Sequence, residues 1–331
     1  MGRGWRRRVL ARVGVVGVLV LSAAACEPAP PPVLVVNTDV DGADALPGDG
    51  SCEVTPGTGD CSVRAAVEEG NALGAAAITV PAGRYTGSAP VVVTGRLSIN
   101  RGAPQAVQLT MTLEVAEGAS LWLEGVSGIP GIPLNQIFVH GSLVAKRSGF
   151  WALGGPVLVV GPTGTAVLEN SYLAGLVIPG PGAAVVNEGQ VLLRHTWVHG
   201  FPSAIDTTGA GSAIVVGSVL EAGGVPPGPV CTGSLPASGG YNLASDASCA
   251  LSGIDDLEGV APSISADYAN EGDPLTFSVA PGSPVIDAIP TGTGGCGADL
   301  VDDIAGAART VDGDGDAIAA CDIGPIERPA D

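Results

Sequence analysis

Five stretches between Gly118 and Gly223 carry aliphatic residues at fixed offsets from a leading glycine. They read GASLWLEGVSGI from Gly118, GSLVAKRSGFWAL from Gly141, GTAVLENSYLAGL from Gly164, GQVLLRHTWVHGF from Gly189 and GSAIVVGSVLEAG from Gly211. Their starts lie 23, 23, 25 and 22 residues apart, and a weaker copy, GRLSINRGAP, begins another 23 residues upstream at Gly95. A fixed period of this size marks stacked units, none of which can bury its own apolar face alone.

The units are too rich in glycine and β-branched residues for helical repeats. Each reads as a short strand, a turn near a small residue and a second short strand. The small residue is Gly125, Ser148, Ser171, Thr196 and Ser218, seven after the leading glycine. This is one coil of a single-stranded, right-handed parallel β-helix, an all-β solenoid whose strands stack about 4.8 Å apart. In this register the second, fourth and ninth positions point inward, as Val191, Leu193 and Val198 in one coil and Ala166, Leu168 and Leu173 in the coil before. The third position is also aliphatic, as Leu121, Val144, Val167, Leu192 and Ile214. Either the register is off by one or an apolar stripe lies outside.

Flanking the coils, residues 33–94 read as an N-terminal cap and first coil, 95–223 as the regular coils and 224–331 as a cysteine-containing C-terminal region. Within the cap, VLVVNTDVDG gives a strand and a turn. Ser62 is placed to cap a short helix, Val63 to Glu69, that ends at Gly70 and buries Val63, Ala66 and Val67. Such a helix covers the open end of a solenoid, which would otherwise present a bare strand edge.

Composition agrees with a solenoid: 51 glycines among 331 residues, 4% aromatic residues, and 46% hydrophobic residues, too many for a disordered chain. Residues 1–26 read as an export signal, with Arg3, Arg6, Arg7, Arg8 and Arg12 before the apolar run Val13 to Leu21. Small residues Ser22 to Ala25 then lead into Cys26, similar to a bacterial lipoprotein signal, in which that cysteine becomes the lipidated first residue. Ala23 stands where the usual leucine would be; the alternative is an ordinary cleaved signal. Glu27 to Pro32 is a Pro-rich tether. The expected location is the cell surface, with the membrane as partner through the lipid, or secretion if Cys26 is not lipidated.

Without Cys26 six cysteines remain: Cys52, Cys61, Cys231, Cys249, Cys296 and Cys321. An even number in an exported chain reads as disulfides, and the clustering predicts the local pairs Cys52–Cys61, Cys231–Cys249 and Cys296–Cys321. No CxxC spacing supports zinc. Removal of residues 1–26 takes five of the 14 basic residues and none of the 33 acidic ones, so the mature charge is 9 − 33 = −24. That excludes nucleic acid as an expected partner, since phosphate binding needs basic clusters.

The segment Asp60-Cys61-Ser62-Val63-Arg64-Ala65-Ala66, with Asn71 and Ile78 to Tyr85, resembles the Cys-Ser-Leu-Arg-Glu-Ala domain of bacterial surface proteins. Val63 replaces its leucine and Ala65 its glutamate. Gly282 to Ala288, Cys321 to Glu327, and Gly239 to Leu243 with Cys249 are similar to the end of choice-of-anchor β-helix proteins. The resemblance implies a β-helix at the bacterial surface and assigns no activity.

Candidate chemistry is sparse. Asn37-Thr38-Asp39, His140-Gly141 and Asp255-Asp256 echo polygalacturonase motifs, but in the wrong order and without a following Arg-Ile-Lys. Lys146, Glu169 and Arg194 share the fifth position and should stack as a charge ladder, with His195 beside them the one candidate for catalysis. Tyr172 and Trp197 share the eighth position and, if exposed, would form a glycan platform. Asp312, Asp314 and Asp316 alternate as in half a calcium loop, but Ala317 and Ile323 stand where an EF-hand needs glycine and glutamate, so only weak calcium binding is expected. No other cofactor is indicated. The expectation is a non-enzymatic surface lipoprotein that contacts extracellular glycan or surface protein. A polysaccharide lyase or glycoside hydrolase on the same fold is the alternative.

Overall fold

A computed structural model describes residues 30–102, 106–128, 136–175, 182–223, 227–267 and 276–329. The expected signal peptide, Cys26 and the first half of the tether lie outside the described residues. The rest is the expected all-β parallel β-helix with one helix near its N-terminal end.

Each coil contributes strands to three faces. The first face stacks Val33–Val35, Ala75–Val80, Arg96–Arg101, Ser120–Glu124 and Ser142–Lys146 in parallel, then the opening halves of Thr165–Gly175 and Gln190–Phe201, then Ser212–Val216. The second face includes Gly149–Ala152, the closing halves of those two long strands and Val219–Ala222. Because the two long strands run through both, these faces form one 16-stranded sheet. The third is a seven-stranded sheet from Val91–Val93 to Cys231–Gly233. Coil pairing extends beyond Gly223, through Ala237–Ser238 and Leu243–Ala244 to Leu257–Glu258.

The inward positions are as the repeat predicts. Leu143, Ala166, Val191 and Ala213 stack in one buried column, Ala145, Leu168, Leu193 and Val215 in a second, and Phe150, Leu173, Val198 and Leu220 in a third. Burial of each larger aliphatic side chain stabilises the coil by about 1.5–3 kcal/mol.

One copy is displaced. Ser120 pairs with Ser142, so Ala119, not Gly118, begins that coil, and Val126, not Gly125, stands opposite Ser148. Gly118 instead supplies a left-handed residue (φ 78°) in the turn that the Ala119 N–H closes onto the Ala116 carbonyl. Leu121 is therefore an inward residue, 1% exposed, and Trp122 takes the third position. With that correction an apolar stripe does run outside: Trp122 and Ile214 are 39% and 46% exposed, and Val144, Val167 and Leu192 between them are half-buried.

The corner between the first two faces is made by residues in the left-handed region: Gly125, Arg147, Asn170, His195 and Gly217, with φ of 46–67°. The residue after each corner turns inward, where its hydroxyl serves the neighbouring coil. Ser148 accepts from the Val126 N–H, Ser171 from Ser148 and Ser218 from Thr196, and Asn242 closes the column by accepting from Ser218. A small hydroxyl at this position satisfies a buried donor, which explains its recurrence.

The helix runs Val63–Leu73, one turn beyond the expected Gly70. Ser62 caps it by accepting from the Ala65 N–H, and Gly74 ends it at φ 80°. Gly70 is retained inside the helix because a Cβ there would meet Leu97 at 2.8 Å and Ala76 at 2.9 Å. The three disulfides are Cys52–Cys61, Cys231–Cys249 and Cys296–Cys321, as the clustering predicts.

After the last coil the chain returns along the solenoid. Residues 279–329, here the C-terminal strap, lie over the corner column and the second face. Val285, Ile289, Cys296, Ile304, Cys321 and Ile323 form a second core there with Trp151, Tyr172, Trp197, Val219, Tyr241 and Leu243.

Candidate functional site

Among the described residues, four regions gather side chains capable of chemistry. The first is the charge ladder. Lys146, Glu169 and Arg194 pair in register; Lys146 Nζ lies 2.7 Å from one Glu169 oxygen and Arg194 Nη1 3.2 Å from the other. Arg194 also makes a bidentate pair with Asp299 of the strap, both contacts 2.7 Å. Those interactions raise the Arg194 guanidinium further and hold Asp299 below the usual carboxylate range. Every charge in the ladder thus has a partner that orients it structurally.

Beside the ladder, the expected catalytic candidate His195 is completely buried. Its Nε2 donates to the Gly294 carbonyl at 3.0 Å, and its Nδ1 accepts from Arg309 Nη2 at 2.8 Å. Because a guanidinium cannot accept, this fixes a neutral ring. Burial, with the Arg309 charge second, lowers its pKa to about 3. A ring so enclosed reaches no substrate.

Tyr172 and Trp197 are adjacent on the outer side of the second face, as the register requires, but they are no exposed platform. Each is 1% exposed, because the strap lies over them. Trp151 meets Tyr172 edge to face at 5.7 Å and donates to its hydroxyl at 3.1 Å. Gly149 leaves room for the Tyr172 ring, since a Cβ there would fall 1.8 Å from its Cζ. Burial pushes the Tyr172 phenol well above its ordinary value. Next along the same face, His199 stacks on Trp197 at 4.7 Å and pairs through Nδ1 with Glu221 at 2.9 Å.

The third region is the acidic turn of the strap. Asp287, Asp312 and Asp314 bring ligand oxygens within 4.8 Å of one another, so Asp287 takes the place expected for Asp316. Asp316 instead accepts from the Ile318 N–H at 2.7 Å, and both Asp312 oxygens cap the same turn through Gly315 and Ala317. Alternate aspartates here close their own turn before they serve any ion. The donor set is all oxygen and suits a hard cation.

The fourth region was not legible as a motif. Asp44, 7% exposed, faces Glu69 of the helix, whose carboxylate accepts from the N–H groups of Gly48 and Gly50. Asp44 Oδ1 accepts from the Glu53 N–H at 3.0 Å, whereas its buried Oδ2 finds no donor. Burial, with the Glu69 and Asp49 charges adding to it, raises the Asp44 pKa.

The polygalacturonase-like fragments serve local structure. Asn37 bonds the Gly59 carbonyl and the Cys61 N–H, and Asp256 holds Ser238, Asn242 and Gly253. Set against models of known protein families and against curated proteins, the chain matches none.

What remains open on the first face is its outer stripe. Alongside Trp122, Val144, Val167, Leu192 and Ile214 runs a polar, uncharged column, Ser120, Ser142, Thr165, Gln190 and Ser212. Lys146 Nζ stands 5.2 Å from the Trp122 ring centroid, and the indole N–H points to Glu124 at 3.4 Å, which together hold the ring in place.

Proposed function

We propose that the chain is an exported, non-enzymatic β-helix scaffold displayed at the bacterial surface through a lipid on Cys26. In this reading it belongs with the surface β-helix proteins that its Cys-Ser-Leu-Arg-Glu-Ala-like and C-terminal motifs resemble. It contacts uncharged glycans through the first face. The observation that carries the reading is two of the three outer columns there, one apolar and headed by Trp122, the other built of hydroxyls and one amide without a charge. The third is the internally paired ladder of Glu124, Lys146, Glu169 and Arg194. Sugar rings present both C–H faces and hydroxyls, and the two columns complement each at the coil spacing. A mature charge of −24 disfavours polyanions, whereas these two columns repel nothing neutral.

A glycan array probed with the protein, Trp122→Ala and Ile214→Ser tests this. Binding to neutral glycans that both variants lose, with melting temperature nearly unchanged, supports it; equal binding by all three sinks the surface assignment. Depolymerisation of a polysaccharide by the purified protein, abolished in Glu169→Gln, would replace it with the enzymatic alternative. Fractionation of Cys26→Ala tests the anchor, with release into the medium expected. The same reading includes a weak calcium site at Asp287, Asp312 and Asp314, a structural rather than a catalytic feature.

A further inference from the structure

Besides that second core, polar contacts at the corner column attach the strap to the solenoid. Asn170 Nδ2 donates to the Asp302 carbonyl at 2.6 Å, and Asn170 Oδ1 accepts from Arg309 Nη1 at 2.9 Å. One coil on, His195 accepts from Arg309 Nη2 and donates to Gly294. Another coil on, the Gly217 carbonyl accepts from the Gly324 N–H at 2.8 Å. Gly217 has no side chain to spare: a Cβ there would meet His195 Cε1 at 2.9 Å. Arg309 is thus the bolt of the strap, fully buried, and it reads two corner residues of successive coils.

We propose that the strap is a cover over the Tyr172–Trp197 column, latched by neutral His195 accepting from Arg309, and that this latch weakens when His195 takes a second proton. The geometry requires this coupling. Both ring nitrogens are engaged, so a second proton can only go to Nδ1, where it displaces the Arg309 N–H and sets imidazolium against guanidinium. Neither partner can turn toward water, since both side chains are sealed.

The other charged groups determine the direction. Facing His195 are Arg309 and Asp299 from the strap and Arg194 from its own coil. Facing Arg309 are Glu327, at 2.8 Å, together with Asp303, Asp322 and Arg194. Burial pushes Asp322 up to about 6 and raises Glu327 further. A buried acid with a raised pKa stabilises the closed strap at low pH and loses that contribution as pH rises, so these two groups oppose acid loosening. Asp299, held low by Arg194, acts in the same sense as His195 but only below the ordinary carboxylate value of 3.8. For His195 the lowered pKa means that its contribution is complete above 6.5 and is lost as pH falls toward about 3. Between about 6.5 and 4, therefore, His195 contributes a loosening of about one decade per pH unit that the two buried acids oppose. Its part is the difference between chains with and without the imidazole.

Hydrogen exchange on the disulfide-intact protein tests the latch. With intrinsic rates corrected, protection of strap amides between 289 and 324, taken relative to the same amides in His195→Gln, should fall about tenfold per pH unit from about 6.5 to 4, while the inward coil strands show no such difference. His195→Gln keeps an acceptor for Arg309 and a donor for Gly294 but does not titrate, so it retains only the opposing slope of Asp322 and Glu327. A slope unchanged in His195→Gln, or coil and strap losing protection together, overturns the proposal. Should the variant fail to close even at neutral pH, the wild-type protein decides through the His195 Cε1 chemical shift. Ring protonation must then change strap protection, and a ring that titrates with no change in the strap, or stays neutral while the strap opens, overturns it.

Discussion

Tyr172 and Trp197 pair side by side across the two longest strands, and the strap that covers them leaves each 1% exposed. Their contribution is therefore to stability. Trp197→Ala should lower the unfolding free energy by about 3–5 kcal/mol, because it removes a large ring and leaves a cavity between solenoid and strap. Urea denaturation checks this. A loss below about 1 kcal/mol would mean that the strap does not hold the ring as the structure shows.

Glu169 is bonded from both sides, and its removal leaves Lys146 and Arg194 facing one another. Glu169→Gln should cost about 1–3 kcal/mol at low salt. The penalty should shrink in 1 M salt, where the remaining like charges are screened. Denaturation curves for the two proteins at two ionic strengths measure the difference.

Asp44 gives a pH dependence of known sign. Its pKa is raised in the folded chain, so the stability it contributes is complete below 3.8 and is lost as pH rises through the raised value. Asp44→Asn puts a non-titrating amide, with an N–H to donate, at this buried position. The variant should lose that slope above pH 4 and be the more stable protein at neutral pH. Unfolding free energies from pH 4 to 8 show whether the two curves diverge.

Calcium, if it binds, does so where Asp287 meets Asp312 and Asp314. Millimolar calcium should raise the melting temperature, in keeping with a dissociation constant of about 0.1–1 mM for an exposed extracellular site. Asp312→Asn and Asp314→Asn should abolish the rise, and Asp316→Asn should not. Calorimetry with and without chelator separates these outcomes.

The sequence by itself determined the fold and most of the inward-facing positions. Period, leading glycine, alternation and small corner residue all follow from one steric requirement, a thin coil stacked on its neighbour, and each recurs often enough to be read. The disulfides were legible for a related reason, since each joins cysteines within one local segment. The first copy misled by one position because Gly118 belongs to a turn, and glycine marks turns and tight columns alike.

Only the tertiary structure decided what covers the second face. Nothing local to Tyr172 or Trp197 signals that a segment some 100 residues later folds back over them. The strap has no repeat, and Arg309, one of two basic residues after residue 250, gains its meaning only from Asn170 and His195. Asp287 and Asp44 are similar cases: their partners lie 25 residues or so away, and only the folded chain brings the carboxylates together. Periodic packing is written in every coil, whereas a single long-range contact is written nowhere but in the closed structure.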